Sequence, residues 1–125
     1  MPPKILIVDD EAHLRMLIHQ TLEELEDEGV ELLTASNGEE ALAAIQAEAP
    51  NLVFLDVMMP KLSGFDVCER TKKTLGLKDV YIVLLTAKGQ EFDRQRGQDV
   101  GADLYMTKPF DPDALLQKAR DVLGL

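Results

Sequence analysis

Four apolar runs, each stopped by polar residues, constrain this chain more than anything else in it. Lys4-Ile5-Leu6-Ile7-Val8 stops at Asp9-Asp10, and Leu52-Val53-Phe54-Leu55 stops at Asp56. Tyr81-Ile82-Val83-Leu84-Leu85 stops at Thr86, and Leu104-Tyr105-Met106-Thr107 stops at Lys108-Pro109. Such runs fit strands buried on both faces, the pattern of a parallel sheet. Parallel strands need crossovers, and right-handed crossovers place helices on both faces of the sheet. The expectation is a doubly wound α/β fold with five parallel strands. In such sheets ligands bind at the carboxyl ends of the strands. Three carboxylates, one hydroxyl and one ammonium are thereby gathered at one edge, a composition suited to a divalent cation and a phosphoryl group.

The segments between the runs carry apolar residues at three-four spacing, as helices do. The first spans about residues 11–28, with Leu14, Leu17, Ile18, Leu22 and Leu25 on one face and Gly29 as its stop. A further strand, about Val30 to Ala35, leads through Ser36-Asn37-Gly38 into a second helix presenting Ala41, Leu42 and Ile45, which Pro50-Asn51 breaks. The loop from Val57 to Gly64 enters a third helix carrying Phe65, Cys68 and Leu75. Gly64 reads as a backbone device at that junction. The fourth helix, about residues 90–100, has only Phe92 and Val100 as clear apolar anchors. Gly97 within it costs about 1 kcal/mol relative to alanine, so this helix should be the loosest. Asp111-Pro112 looks like an N-cap followed by proline at the first helical position. The last helix offers Leu115, Leu116, Ala119, Val122 and Leu123, with Gly124 at a C-cap position.

At 125 residues the chain suits one domain, residues 1–125. No apolar stretch approaches the roughly 18 residues of a membrane span, and the N-terminus runs straight into a strand rather than a signal peptide. Cys68 is the single cysteine, which cannot form an internal disulfide and points to a reducing, cytoplasmic setting. The net charge of −10 and the lack of any basic run beyond Lys72-Lys73 argue against direct nucleic-acid binding by this domain. The acidic stretch Glu23 to Glu28 reads as a solvated helix end.

The strand-end residues carry the chemistry. Clustered carboxylates repel and hold their protons more tightly unless a cation neutralises them. All-oxygen ligation with few carboxylates suits Mg²⁺ (or Mn²⁺), which keeps several waters and shares a phosphate. Lys108 can pair with a carboxylate and later with a phosphoryl oxygen, the Thr86 hydroxyl can bond another oxygen, and a carboxylate is a competent nucleophile towards phosphorus.

Asp9-Asp10, Asp56 within Leu55-Asp56-Val57-Met58-Met59-Pro60, Thr86-Ala87 and Lys108-Pro109-Phe110 resemble, in order and spacing, the motifs of bacterial response-regulator receiver domains. The resemblance covers Lys4 to Leu123 and is nearest to the stand-alone chemotaxis-regulator form. It implies a flavodoxin-like (βα)5 fold with strand order 2-1-3-4-5 and Asp56 as the phosphoacceptor. It implies that Asp10, Asp56 and the backbone carbonyl of Met58 ligate the metal, with Asp9 acting through a metal-bound water. Lys108, Thr86 and Ala87 would meet the phosphoryl group, Thr86 and Tyr105 would form the switch, and Lys108-Pro109 would be a cis peptide. Met58 and Lys88 border the route of the attacking water. The implied partners are a sensor histidine kinase or phosphotransfer protein and a downstream protein on the face of the fourth helix, fifth strand and fifth helix. The domain would act as a monomer or a phosphorylation-promoted dimer, as a complete regulator or as a receiver cut from a longer protein, and not as a turnover enzyme.

The same residues also admit plainer roles. One of Asp9 and Asp10 can cap the first helix; Thr86 and Tyr105 can be strand residues, and Lys108 a surface lysine. His13 and His19 read as exposed helix histidines rather than a phosphohistidine relay, Cys68 as packing, and Met58-Met59 as loop lining. A phosphatase of the haloacid-dehalogenase type needs a second acid two residues after its nucleophile, where this chain has Met58. A flavin binder needs a phosphate-cradling loop after the first strand, where two acids stand, and no G-x-x-x-x-G-K-[ST] loop for ATP is present.

Overall fold

In the chain's computed structural model, residues 2–87, 93–108 and 111–125 are described. The elements are β1 (Lys4–Val8), α1 (Ala12–Leu22), β2 (Glu31–Ala35), α2 (Gly38–Glu48), β3 (Leu52–Asp56), α3 (Gly64–Glu69), β4 (Tyr81–Ala87), α4 (Asp93–Asp99), β5 (Leu104–Lys108) and α5 (Pro112–Leu123). The strands form a parallel sheet in the order β2-β1-β3-β4-β5, as expected. Strand side chains alternate between faces, which splits the core into two layers. Leu6, Val8, Val53, Leu55, Ile82 and Leu84 pack with residues of α2 and α3 and with Val100, just past α4. Ile5, Ile7, Phe54, Val83 and Leu85 pack with Ile18 and Leu22 of α1 and Leu115 and Ala119 of α5. No described helix is long and apolar enough to cross a membrane.

Several local signals act as anticipated. Asp111 accepts the amide of Asp113 with Pro112 in the first turn of α5. Gly29 and Gly124 end their helices at φ 88° and 73°, a left-handed conformation that costs glycine nothing. Asn37 caps α2 through Glu40, and Ser63 with Asp66 forms a reciprocal capping box at α3.

Other expectations need correction. The first helix is α only to Leu22 and continues as a tighter 3₁₀ segment over Glu23–Glu28. The third helix widens into a π turn over Arg70–Thr74. Leu17 and Leu75 are 40% and 39% exposed rather than core. The fifth strand is not buried on both faces: all five of its residues are half-buried, because it lies at the sheet edge with one neighbour. The acidic helix end is not merely solvated, since Arg120 of α5 reaches Glu24 and Glu28 at 2.8 Å each.

The fourth helix is sparsely packed, as expected: of residues 95–99 only Gly97 is buried. A Cβ built on Gly97 would lie 3.2 Å from Cδ2 of Tyr105 and 3.3 Å from Cδ1 of Leu84. The glycine thus lets the helix sit directly on the ring. The C-terminal end of α4 is fastened to the α3 segment: the Cys68 thiol donates to the carbonyl of Val100 (3.6 Å) and Lys73 to that of Asp99. Just beyond, buried Lys72 pairs with Asp103 at 2.8 Å, and the same carboxylate oxygen accepts the amide of Ile82. These contacts lie at the last residue of the helix and beyond it. Phe92, its other expected anchor, falls outside the described residues.

Candidate functional site

The ends of β1, β3, β4 and β5 lie side by side, so the residues that stop the apolar runs meet. Asp56, the last residue of β3, is 4% exposed, and Asp9, one past β1, is fully buried, whereas Asp10 faces solvent. One oxygen from each of these acids lies within 4.8 Å of the others. Lys108, reaching from β5, donates to Asp56 Oδ1 at 3.1 Å and to Asp9 Oδ2 at 3.3 Å. The amide of Met58 points at the same Asp56 oxygen at 3.3 Å, while the Met58 side chain is 62% exposed. Thr86 is buried one residue beyond Leu85, the register partner of Asp56. Ala87 ends β4 alongside Lys108.

The loops that hold this edge are built locally. Asp9 donates its amide to the carbonyl of Ala35 and accepts the Glu11 amide on Oδ1 at 2.9 Å, which turns the chain into α1. Glu11, not either aspartate, occupies the N-cap position of α1. At the β3–α3 loop a Cβ on Gly64 would strike the carbonyl oxygen of Asp56 and come within 2.9 Å of Val57 Cα. Only glycine lets α3 start this close to the backbone carrying Asp56.

Electrostatics follow from this packing. Burial raises the Asp56 carboxyl, the neighbouring Asp9 raises it further, and Lys108 only partly offsets them, leaving it at about 6. Burial works against the Lys108 charge, but Asp56 and Asp9 outweigh it, so its ammonium is held more firmly than usual. A buried carboxylate that stays partly protonated near neutrality beside two further acids is a donor set short of positive charge. Its all-oxygen character fits a hard divalent cation.

The structure therefore brings together Asp9, Asp10, Asp56, Thr86, Ala87 and Lys108. Tyr105 stands apart, half-buried, register partner of Leu84 and against Gly97 of α4. Lys88 and the Lys108–Pro109 peptide partner lie outside the described residues. Cys68 is buried, its thiol pushed up to about 12 by burial, as a packing residue would be. One contact to the site has no counterpart among the residues singled out from sequence: Arg15 of α1 donates to the backbone carbonyl of Asp9 at 2.7 Å. An arginine on a helix carries no pattern that announces a backbone partner six residues earlier.

Comparison with known proteins agrees with this architecture. The model of the response regulator receiver domain family matches residues 5–120. The probable transcriptional regulator ycf27 of Pyropia yezoensis is 49% identical over 120 residues, covering 96% of this chain and 47% of that protein. The chain thus spans about half the length of the curated relatives it matches. The chemotaxis protein CheY4 of Vibrio cholerae superposes with a TM-score of 0.84 at 34% identity, over 98% of this chain and 99% of that one. The BeF3-activated DrrB receiver domain superposes at 0.85 with 33% identity over the whole of both chains. With five parallel strands in the order 2-1-3-4-5 and an acidic cluster at their carboxyl ends, this chain belongs to the receiver domains of two-component response regulators.

Proposed function

We propose that Asp56 accepts a phosphoryl group from a phosphohistidine on a sensor kinase or phosphotransfer protein, in the presence of Mg²⁺ (or Mn²⁺). The observation that carries this reading is the buried Asp56 carboxylate, bonded to Lys108 at 3.1 Å and clustered with Asp9 and Asp10. Asp10, Asp56 and the Met58 carbonyl would hold the cation. Asp9 has one oxygen on the Glu11 amide and one on Lys108, which suits the water-mediated part assigned to it. The cation, when bound, neutralises the clustered acids and the phosphoryl oxygens.

An Asp56 oxygen attacks phosphorus, the bond from phosphorus to the imidazole nitrogen breaks, and the bonding pair leaves with the imidazole. Lys108 is placed to follow the new negative charge, giving up Asp56 for a phosphoryl oxygen. Thr86 offers its hydroxyl, and the Thr86–Ala87 strand end frames the same space. Residues 1–125 act in this reading as one receiver module, cytoplasmic, a signalling part rather than a turnover enzyme, working as a monomer or a phosphorylation-promoted dimer. Thr86 and Tyr105 pass the change to a protein partner on the α4-β5-α5 face by shifting a two-state equilibrium. Where such a module serves a transcriptional regulator, DNA contact belongs outside it, since its net charge is −10.

Acetyl phosphate with Mg²⁺ should add about 80 Da, one phosphoryl group on one carboxylate, and Asp56→Asn should abolish the addition. A peptide map placing the label on another residue of the wild-type chain would refute the assignment.

A further inference from the structure

The loop that presents Asp9 and Asp10 is held from three sides. The Asp9 amide is bound to Ala35, its carboxylate to the Glu11 amide and Lys108, and its carbonyl to Arg15 at 2.7 Å. The last contact has a consequence for Asp10. A peptide group is planar, so the carbonyl of Asp9 and the amide of Asp10 turn as one unit. Fixing that oxygen fixes the plane joining the two acids, and with it the direction in which exposed Asp10 leaves the loop.

Arg15 is well supported for such a task. It is half-buried, lies in the second turn of α1, and donates its own amide to the Glu11 carbonyl. Its charge also acts on Glu40, whose carboxylate accepts the amide and hydroxyl of Ser36 at the end of β2.

We propose that Arg15 is the positioning residue of the cation site, orienting Asp10 through the Asp9 carbonyl; this rests on the reading of Asp10 as a metal ligand. The sign of the expected effect separates positioning from charge. On charge alone, removing a cation next to an acidic cluster tightens binding of a divalent cation. Positioning demands the reverse.

The test uses the full chain, with Mg²⁺ titrated calorimetrically and the apo protein followed by amide NMR. Arg15→Met, which keeps the stem and loses the donor, should weaken Mg²⁺ binding about 10-fold or more, the scale on which partners of metal ligands act. Arg15→Lys, which keeps a donor, should recover most of that loss. In the absence of metal, Arg15→Met should shift the Asp10 amide while resonances of α5 stay in place. Unchanged or tighter Mg²⁺ binding by Arg15→Met, or an unmoved Asp10 amide, overturns the proposal. If Arg15→Met does not fold, Arg15→Gln, whose shorter amide cannot span the same gap, is held to the same outcomes. A wild-type chain that takes up no Mg²⁺ while the Asp10 amide still moves overturns the metal reading and leaves the positioning of the loop standing.

Discussion

Replacing Asp56 by asparagine should stabilise the metal-free protein, and the gain should depend on pH in a defined way. The folded chain holds the Asp56 proton up to about pH 6, against an ordinary value of 3.8. Each pH unit of such a difference is worth about 1.4 kcal/mol, so ionising Asp56 costs the fold on the order of 3 kcal/mol. Below about pH 4 the carboxyl is protonated in both folded and unfolded chains and the cost is absent. It grows as pH rises through 6 and then stays constant, because the folded state binds more protons in between. Asparagine never pays it. Part of the gain is lost, because Lys108 keeps only Asp9 as a carboxylate partner. A net gain of about 1–3 kcal/mol remains at pH 7.5, or roughly 4–10 °C in melting temperature for a chain of this size. Thermal melts by circular dichroism in EDTA at several pH values between 4.5 and 8 measure it. The difference between the two proteins should shrink towards zero at the acid end, and millimolar Mg²⁺ should narrow it at pH 7.5 by stabilising the wild type. A difference that is the same at pH 5 and pH 8, or an Asp56→Asn protein less stable than wild type at pH 8, would refute the electrostatic account.

Three further outcomes are expected. Gly97→Ala should fail to raise the melting temperature, although helix propensity alone offers about 1 kcal/mol, because the new methyl meets the Tyr105 ring and Leu84 at 3.2 and 3.3 Å; a rise of about 4 °C would show that the ring yields freely. Lys72→Ala should cost about 2–4 kcal/mol in urea denaturation, since it removes the buried partner of Asp103 just before β5, and a loss well under 1 kcal/mol would show the pair to be incidental. Thr86→Ala should leave Asp56 open to beryllofluoride yet reduce the accompanying amide shifts around Tyr105; the full wild-type pattern in the mutant would remove the hydroxyl from the relay.

What could be read from the chain alone was whatever local physics enforces. Strands buried between two helical layers must be apolar throughout, so Asp56, Thr86 and the Asp9-Asp10 pair mark strand ends wherever the rest of the fold goes. Helix ends were legible for the same reason: Gly29, Asp111 and Gly124 satisfy backbone groups within a few residues of themselves. Tertiary structure decided everything that depends on distant neighbours. Asp9 and Asp10 are adjacent in sequence, yet one is buried under Lys108, which arrives from 99 residues away, and the other faces solvent. Three-four spacing cannot say where a helix outruns its partner, hence the exposure of Leu17 and Leu75. Nor can propensity show that Gly97 makes room for a ring on another strand, or that Lys72 finds its carboxylate 31 residues on. Propensity and capping act within a turn or two of chain, whereas burial, ion pairing and close packing are set by segments that meet only when the sheet is assembled.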